Sequence, residues 1–165
     1  LFNSARNIMK SPDNIHRILI AVEDSPYSDQ AIHYGMLLAK KLNSKIALVH
    51  VDDIPVNTPY LADPLLSEPP LMVPEIMEIR EQASKDLFNR IQKQYGDDLE
   101  ITKYTRVGRA QDEILAVAEE YKADLIILGT HGRTGLDHFI SGSVSESVAR
   151  KAKCPVMIIP KPEKE

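Results

Sequence analysis

The sequence has one cysteine, Cys154, among its 165 residues, so no disulfide can form within the chain. Such a composition fits a reducing compartment, in which structural disulfides are rare. The chain also lacks an excess of positive charge, since its formal net charge is −4 at pH 7. A mildly acidic protein has no general electrostatic attraction to nucleic acid or to an anionic membrane, and we expect neither partner.

Long apolar runs are missing as well. No stretch approaches the roughly 20 apolar residues that a membrane-spanning helix requires. The opening residues LFNSARNIMK lack the apolar core of a signal peptide, so the sequence predicts a soluble, cytoplasmic protein. A length of 165 residues, with 43% hydrophobic and 27% charged residues, is typical of one globular domain.

Motifs for phosphoryl transfer and for metal binding are also absent from the sequence. It contains neither the G-x-x-x-x-G-K-[ST] nor the G-x-G-x-x-G pattern, and its five histidines show no metal-ligand spacing. Ser, His and Asp are common in the predicted loops, but no arrangement of them supports a hydrolytic triad. We therefore assign no catalytic residue and no metal ligand from the sequence.

What the sequence does contain is a regular alternation of short apolar runs and amphipathic segments. Continuous apolar runs are typical of strands buried on both faces of a sheet. Ser25 and Pro26 have the residue types of a helix N-cap and of a first helical position. The pattern predicts strands at 17–22, 45–51, 99–107, 124–128 and 155–159. It predicts helices over 26–42, from Pro74 to near Gly96, from Ala110 to Tyr121, and from Val144 to Ala152. The second of these helices has a predicted inner stripe of Ile76, Ile79, Ala83, Leu87 and Ile91.

This alternation predicts an α/β domain with a single, doubly wound sheet of five parallel strands and helices on both faces. We divide the chain into an irregular N-terminal arm at 1–15, the domain at 16–160 and a charged tail at 161–165. The segment 52–73 and the following Pro74 hold six prolines, which exclude regular structure, so 52–73 is predicted to be a proline-rich loop. In sheets of this kind, ligands bind at the carboxyl ends of the strands, where the winding reverses.

A loop rich in glycine and serine follows the fourth predicted strand. Gly129 and Gly132 would let the backbone approach a ligand closely, because glycine has no Cβ. Gly142 and Ser143 stand at the start of a predicted helix, where N–H groups and the helix dipole attract an anion, and Arg133 adds one positive charge. The same residues also fit a simple turn followed by a capping box, so the residues by themselves leave both alternatives open.

The loop pattern G-x2-G-x9-G-S, from Gly129 to Ser143, resembles the nucleotide-binding signature of the ATP-binding universal stress proteins. The similarity extends over residues 16–160 and includes ILIAVEDSPYSDQAIHYGMLLAKKL, VGRAQDEILAVAEEYKADLIILGTHGRTGL and GSVSESVARKAKCPVMIIP. It implies a Rossmann-like sheet with strand order 3-2-1-4-5 and ATP as the ligand, and it leaves room for Mg²⁺ beside the phosphates. The resemblance places the adenine and the ribose at Ala21, Val22, Glu23 and Val51, and the phosphates at Gly129, Gly132, Gly142, Ser143 and Val144, with Leu128 lining the pocket.

One pair of positions departs from the family pattern. Members of the family usually have Asp and Gly at the end of the first strand, where this sequence has Glu23 and Asp24. Glu23 keeps the charge and is one methylene longer, whereas Asp24 adds a carboxylate beside the predicted ligand. The departure bears on affinity and on the adenine contact rather than on the phosphate loop.

The predicted function is that of a cytoplasmic ATP-binding stress-response protein that senses nucleotide state and is not an efficient catalyst. An apolar edge strand invites pairing with another chain, and the family resemblance implies a homodimer through 155–159. Two alternatives stay open: a slow ATPase or nucleotidyl-transferring enzyme, and a dimeric interaction module without nucleotide. Catalysis would need a base and positive charge on the leaving phosphates, for which the sequence offers only Arg133 and the loop histidines.

Overall fold

A parallel sheet of five strands forms the centre of the protein. The computed structural model describes residues 15–53, 74–96, 99–130 and 144–160. In these ranges the strand order is 3-2-1-4-5, as predicted. The strands are β1 (Arg17–Ala21), β2 (Lys45–Asp53), β3 (Ile101–Gly108), β4 (Leu125–Gly129) and β5 (Val156–Ile159), and the helices are α1 (Pro26–Leu42), α2 (Pro74–Tyr95), α3 (Ala110–Tyr121) and α4 (Val144–Lys151).

All four pairs of neighbouring strands are parallel, and β1 lies in the middle of the sheet. Ile18 of β1 pairs with Ile46 of β2 on one side and with Leu125 of β4 on the other. In the described ranges the two edge strands are β3 and β5, in agreement with the predicted strand order. None of the described helices is long and apolar enough to cross a membrane.

The central strands are apolar on both faces because helices cover both sides of the sheet. Ile18 and Ile20 pack with α1 and α2, whereas Leu19 between them packs with α3 and α4, and all three are fully buried. The same alternation occurs in β4, where Ile126 and Ile127 face opposite layers. Burial on two sides explains why these strands appear in the sequence as continuous apolar runs.

The start of α1 confirms the prediction for this helix. Ser25 is the N-cap, and its Oγ accepts a hydrogen bond from the backbone N–H of Ser28 at 3.3 Å, while Pro26 occupies the first turn. The helix ends where Asn43 adopts a left-handed conformation with φ 52°. Both ends therefore use residue types that satisfy the terminal N–H and C=O groups of a helix.

The buried face of α2 differs from the predicted stripe. Ile79 is 68% exposed, and Ala83 is exposed as well. Ser84 is buried instead, and its hydroxyl is satisfied because it donates to the carbonyl of Arg80 at 3.1 Å. The predicted stripe is therefore wrong at Ile79 and Ala83 and confirmed at Leu87 and Ile91. Between Met77 and Tyr95, the buried residues of α2 are Ser84, Leu87, Phe88 and Ile91.

A glycine in α1 brings that helix close to the sheet. A Cβ atom at Gly35 would lie 2.5 Å from Cδ1 of Ile20 and 3.5 Å from Cδ1 of Ile127. Both isoleucines are fully buried, so neither side chain has open space to move into. The missing side chain at Gly35 therefore sets how closely α1 packs on β1 and β4.

We expect Gly35→Val to destabilise the fold, because the new side chain would overfill the interface between α1 and the sheet. Overpacking of this kind costs about 1–3 kcal/mol in the free energy of unfolding, more than the few tenths that valine gains over glycine in helix propensity. Urea unfolding followed by circular dichroism measures the effect. Lys41→Val, at an exposed position of the same helix, should change the stability by less than about 0.5 kcal/mol. Equal stability of the two variants would contradict the close packing of α1.

Candidate functional site

The sheet changes its winding between β1 and β4. The helix that follows β1 covers one face, where Ile32 of α1 joins Ile18 in one core layer. The helix that follows β4 covers the other face, where Val148 of α4 joins Leu19. Because the helices that follow the two strands cover opposite faces, the place between their carboxyl ends is where a sheet of this kind forms its ligand crevice. This is the usual position of a ligand in a doubly wound sheet.

Four of the residues predicted to contact the ligand form one apolar floor at this end of the sheet. Ala21 ends β1, Val51 and Leu128 lie near the ends of β2 and β4, and Val144 begins α4. All four belong to the core layer on the side of α3 and α4. Leu128 is buried, whereas the other three are only half-buried. Apolar side chains that converge here while keeping some exposed surface can pack against a flat ring.

Val22 lies at the same strand end but faces the opposite layer. Its side chain is buried in the core beneath α1 and α2. Its backbone N–H donates to the carbonyl of Val49 at 2.9 Å, and its own carbonyl accepts from His50. The structure therefore does not bring the side chain of Val22 to the apolar floor.

Glu23 lies two residues after the end of β1 and is held by two serines of the next turn. Its N–H donates to Oγ of Ser28 at 2.9 Å, and its Oε1 accepts from Oγ of Ser25 at 2.8 Å. The Oγ of Ser25 also accepts the capping hydrogen bond of α1. The same hydroxyl therefore connects the start of the helix to the carboxylate of Glu23. An acidic side chain with hydrogen-bond acceptors is thus fixed at the carboxyl end of β1.

Asp24, the second residue of the departure from the family pattern, binds α2. Its Oδ1 accepts from Nη2 of Arg90 at 3.3 Å, while Nη1 of the same guanidinium binds Oδ1 of Asp29 at 3.1 Å. Because α2 covers the face opposite to α3 and α4, this carboxylate is directed away from the apolar floor. The added charge at Asp24 therefore makes an exposed ion pair with α2, which contributes little to stability.

A buried histidine joins the ends of β1 and β2. His50 is 4% exposed, and its Nδ1 lies 3.0 Å from the carbonyl oxygen of Val22. Because a carbonyl oxygen can only accept, Nδ1 carries the hydrogen in this bond. The other ring nitrogen, Nε2, faces Oδ1 of the buried Asp52 at 3.8 Å. His50 thereby fixes the strand end from which Glu23 continues.

The phosphate side of the predicted site is described in part. Gly129 ends β4, and Thr130 donates its N–H to the carbonyl of Ile159 at 2.9 Å, so β5 guides the chain as it leaves β4. On the far side of the loop, α4 begins at Val144, and the N-terminus of a helix attracts anions. The predicted phosphate contacts Gly132, Arg133, Gly142 and Ser143 lie outside the described residues.

The acidic residue in the first turn of α4 has a basic partner. Oε1 of Glu146 accepts from Nη2 of Arg150, one turn later, at 2.6 Å. Such an i, i+4 pair balances the carboxylate locally. The repulsion that Glu146 would exert on an anion at the start of α4 is therefore reduced.

Comparison with known proteins shows what the chain is similar to. The model of the Universal stress protein family matches residues 14–160. Universal stress protein MJ0531 from Methanocaldococcus jannaschii is 30% identical over 162 residues, which cover 96% of this chain and 91% of that protein.

Solved structures share the fold at lower identity. The structure of MJ0577, from the same archaeon, has a TM-score of 0.71 at 23% identity, and the match covers 91% of this chain and 99% of that chain. A universal stress protein solved in complex with cAMP has a TM-score of 0.62 at 22% identity, with coverages of 88% and 97%. Both agree with this chain in the architecture of the sheet and its helices.

We expect His50→Leu to loosen the ends of β1 and β2, because leucine fills space but leaves the buried carbonyl of Val22 without its donor. An unpaired buried acceptor costs about 1–3 kcal/mol in the free energy of unfolding. Thermal unfolding measures this loss, and hydrogen exchange of the Glu23 amide should become faster. His50→Gln, whose amide can donate, is expected to recover part of both effects. If the leucine variant matches the wild type in both measurements, the bond has no structural role.

Proposed function

The chain belongs to the universal stress protein family, and we propose that it binds ATP in the crevice between the carboxyl ends of β1 and β4. The observation that carries the proposal is the convergence of Ala21, Val51 and Leu128 on one apolar floor beside the N-terminus of α4. The ring of a nucleobase can pack on an apolar floor, and a phosphate chain can bind the free N–H groups of a helix N-terminus. The complex of a similarly folded universal stress protein with cAMP supports an adenine nucleotide as the ligand class.

Each part of the nucleotide has a matching group in this chain. The adenine ring would pack on the apolar floor, and the carboxylate of Glu23 would accept hydrogen bonds from the ribose hydroxyls. The phosphates would bind N–H groups at Gly129 and at the start of α4, where the dipole favours negative charge. Mg²⁺ bound with the phosphates would neutralise part of their charge. The remaining phosphate contacts in this proposal are the sequence-motif residues Gly132, Arg133, Gly142 and Ser143.

The groups in this site are better suited to holding a nucleotide than to cleaving it. Efficient phosphoryl transfer needs positive charge on the leaving phosphates and a group that positions the attacking nucleophile. The loop between β4 and α4 supplies one arginine, Arg133, and no lysine. The carboxylate of Glu23, just after β1, already accepts a hydrogen bond from Ser25. We therefore propose a cytoplasmic protein in which occupancy by the nucleotide, rather than turnover, carries the signal.

The proposal predicts that ATP binds to the wild type in calorimetric titration and that Gly132→Val and Gly142→Val each weaken binding at least tenfold. A branched side chain at either position would occupy space that the phosphates need for close contact with the backbone. Ala149→Val, on the exposed face of α4, is the matched control and should keep the affinity within twofold.

Two measurements separate this proposal from its rivals. Chromatography of ATP after prolonged incubation should show less than one turnover per hour, whereas an ATPase or nucleotidyl-transferring enzyme would consume the nucleotide. Native mass spectrometry of gently purified protein should show bound nucleotide. A wild type that binds no ATP would leave only the interaction module without nucleotide. Glycine variants that bind ATP as tightly as the wild type would contradict the phosphate contacts proposed at Gly132 and Gly142.

The edge formed by β5 is the proposed interface of a homodimer. On one side β5 pairs with β4, and its other side is an edge of the sheet in the described ranges. Met157 is 38% and Ile158 is 37% exposed, and neighbouring side chains in a strand face opposite sides of the sheet. Apolar surface therefore flanks this edge on both faces, which suits pairing with the same strand of a second copy.

We expect Ile158→Lys to weaken dimerisation at least tenfold, because it places a charge beside the proposed strand pair. Sedimentation velocity over a range of concentrations measures the dissociation constant. Val107→Lys makes the same type of change on the opposite edge strand, where Val107 is 48% exposed, and should leave the dimer intact. The reverse result, with only Val107→Lys producing monomers, would place the interface at β3.

A further inference from the structure

A cavity of about 290 Å³ lies at the amino-terminal end of the sheet, opposite to the crevice between β1 and β4. It is bounded by the C-terminal ends of α3 and α4 and by the segments that lead into β4 and β5. Leu115, Ala118 and Ile126 give it an apolar floor. Its volume is near the lower end of the range of small-molecule sites, about 300–1,000 Å³.

The rim of this cavity carries more positive than negative charge. Lys122, Lys151 and Lys153 line it together with one acidic residue, Glu119. Nζ of Lys153 lies 2.9 Å from Oε1 of Glu119, so this lysine is already paired. No carboxylate of the described residues lies within ion-pair distance of Lys122 or Lys151, and both lysines are exposed. Two ammonium groups are therefore available beside an apolar floor.

Some of the carbonyl groups at the two helix ends accept hydrogen bonds from within the chain. The N–H of Lys122 binds the carbonyls of Ala118 and Glu119, and the N–H of Ala152 binds the carbonyl of Val148 at 2.9 Å. Carbonyls that already accept a hydrogen bond repel an approaching anion less than free ones do. The charge at the mouth of the cavity is consequently set by the lysines.

We propose that this cavity is a binding site for a small organic anion that joins a carboxylate to an apolar chain. The ammonium groups of Lys122 and Lys151 bind the carboxylate, and the apolar floor holds the chain. An inorganic anion would gain nothing from the floor, and a neutral apolar molecule would gain nothing from the lysines. This site is separate from the nucleotide crevice and does not depend on the function proposed for it.

Octanoate is the probe for a test on the full chain without added nucleotide. Calorimetric titration should show binding at least tenfold tighter than that of acetate, which lacks the apolar chain, or of octanamide, which lacks the charge. Cys154 gives an independent readout, because it is the one cysteine of the sequence and lines the cavity. Saturating octanoate should slow alkylation of its thiol by the uncharged reagent N-ethylmaleimide at least fivefold.

The double variant Lys122→Gln with Lys151→Gln should weaken octanoate binding about tenfold, since each partly exposed ion pair contributes a few-fold to affinity. The matched control is Lys40→Gln with Lys41→Gln, which removes two exposed lysines from the C-terminal turn of α1 that do not line this cavity. Its affinity should stay within twofold of the wild type. Binding should also be unchanged in Gly132→Val, whether or not that variant binds ATP.

Three results would overturn the proposal. One is the absence of both heat and thiol protection at millimolar octanoate. The second is equal weakening by the two double variants, which would indicate general attraction to lysines. The third is protection of Cys154 in the absence of octanoate that disappears when a dimer dissociates on dilution, because a second copy would then occupy the cavity.

Discussion

Burial of β1 and β4 on both faces is the constraint that determines where this protein can carry out its chemistry. Ile18, Leu19, Ile20, Ile126 and Ile127 are fully buried between two helical layers. An unpaired polar group among them would cost far more than a surface group, so polar function is confined to the strand ends. The helices that follow the two strands cover opposite faces, so the winding reverses between their carboxyl ends, which is where doubly wound sheets bind ligands.

Among the described residues near this crevice are the acidic side chains of Glu23, Asp24 and Glu146, and their contacts keep most of this charge from opposing an anion. Asp24 binds Arg90 of α2, on the face away from the apolar floor, and Glu146 binds Arg150 along α4. Only Glu23 stays at the carboxyl end of β1, where Ser25 holds it. Of the two residues that depart from the family pattern, Asp24 therefore changes the surface near α2, whereas Glu23 lies at the carboxyl end of β1.

Much of the fold could be predicted from the sequence because its signals are local. Continuous apolar runs identified the buried strands, and Ser25 with Pro26 identified the start of α1. The order of the strands came from the family resemblance, since periodicity does not tell which strands are neighbours. The face of α2 was wrong at Ile79, because an apolar residue can follow helical spacing without meeting the sheet.

The contacts that shape the site were harder to predict for a physical reason. His50 stands inside an apolar run, which signals a buried hydrogen bond, but nothing in the run identifies the carbonyl of Val22 as its partner. Arg90 and Asp24 are 66 residues apart, and only the packed layers bring them together. Pairings between distant segments depend on how each helix packs on the sheet. Gly35, for example, sets the distance between α1 and the sheet, and such packing distances depend on the fold as a whole.

A parallel sheet also gives its two ends opposite electrostatic character, which bears on how each end can recognise an anion. Helices begin at the carboxyl ends of the strands and finish at the amino ends, so one end offers backbone N–H groups and the other offers carbonyls. At the carboxyl end, the backbone itself can bind phosphate, and recognition depends on small residues that allow close approach. At the amino end, positive charge can come only from side chains such as Lys122 and Lys151. Recognition at the first end should therefore be sensitive to residue size, and at the second end to residue charge.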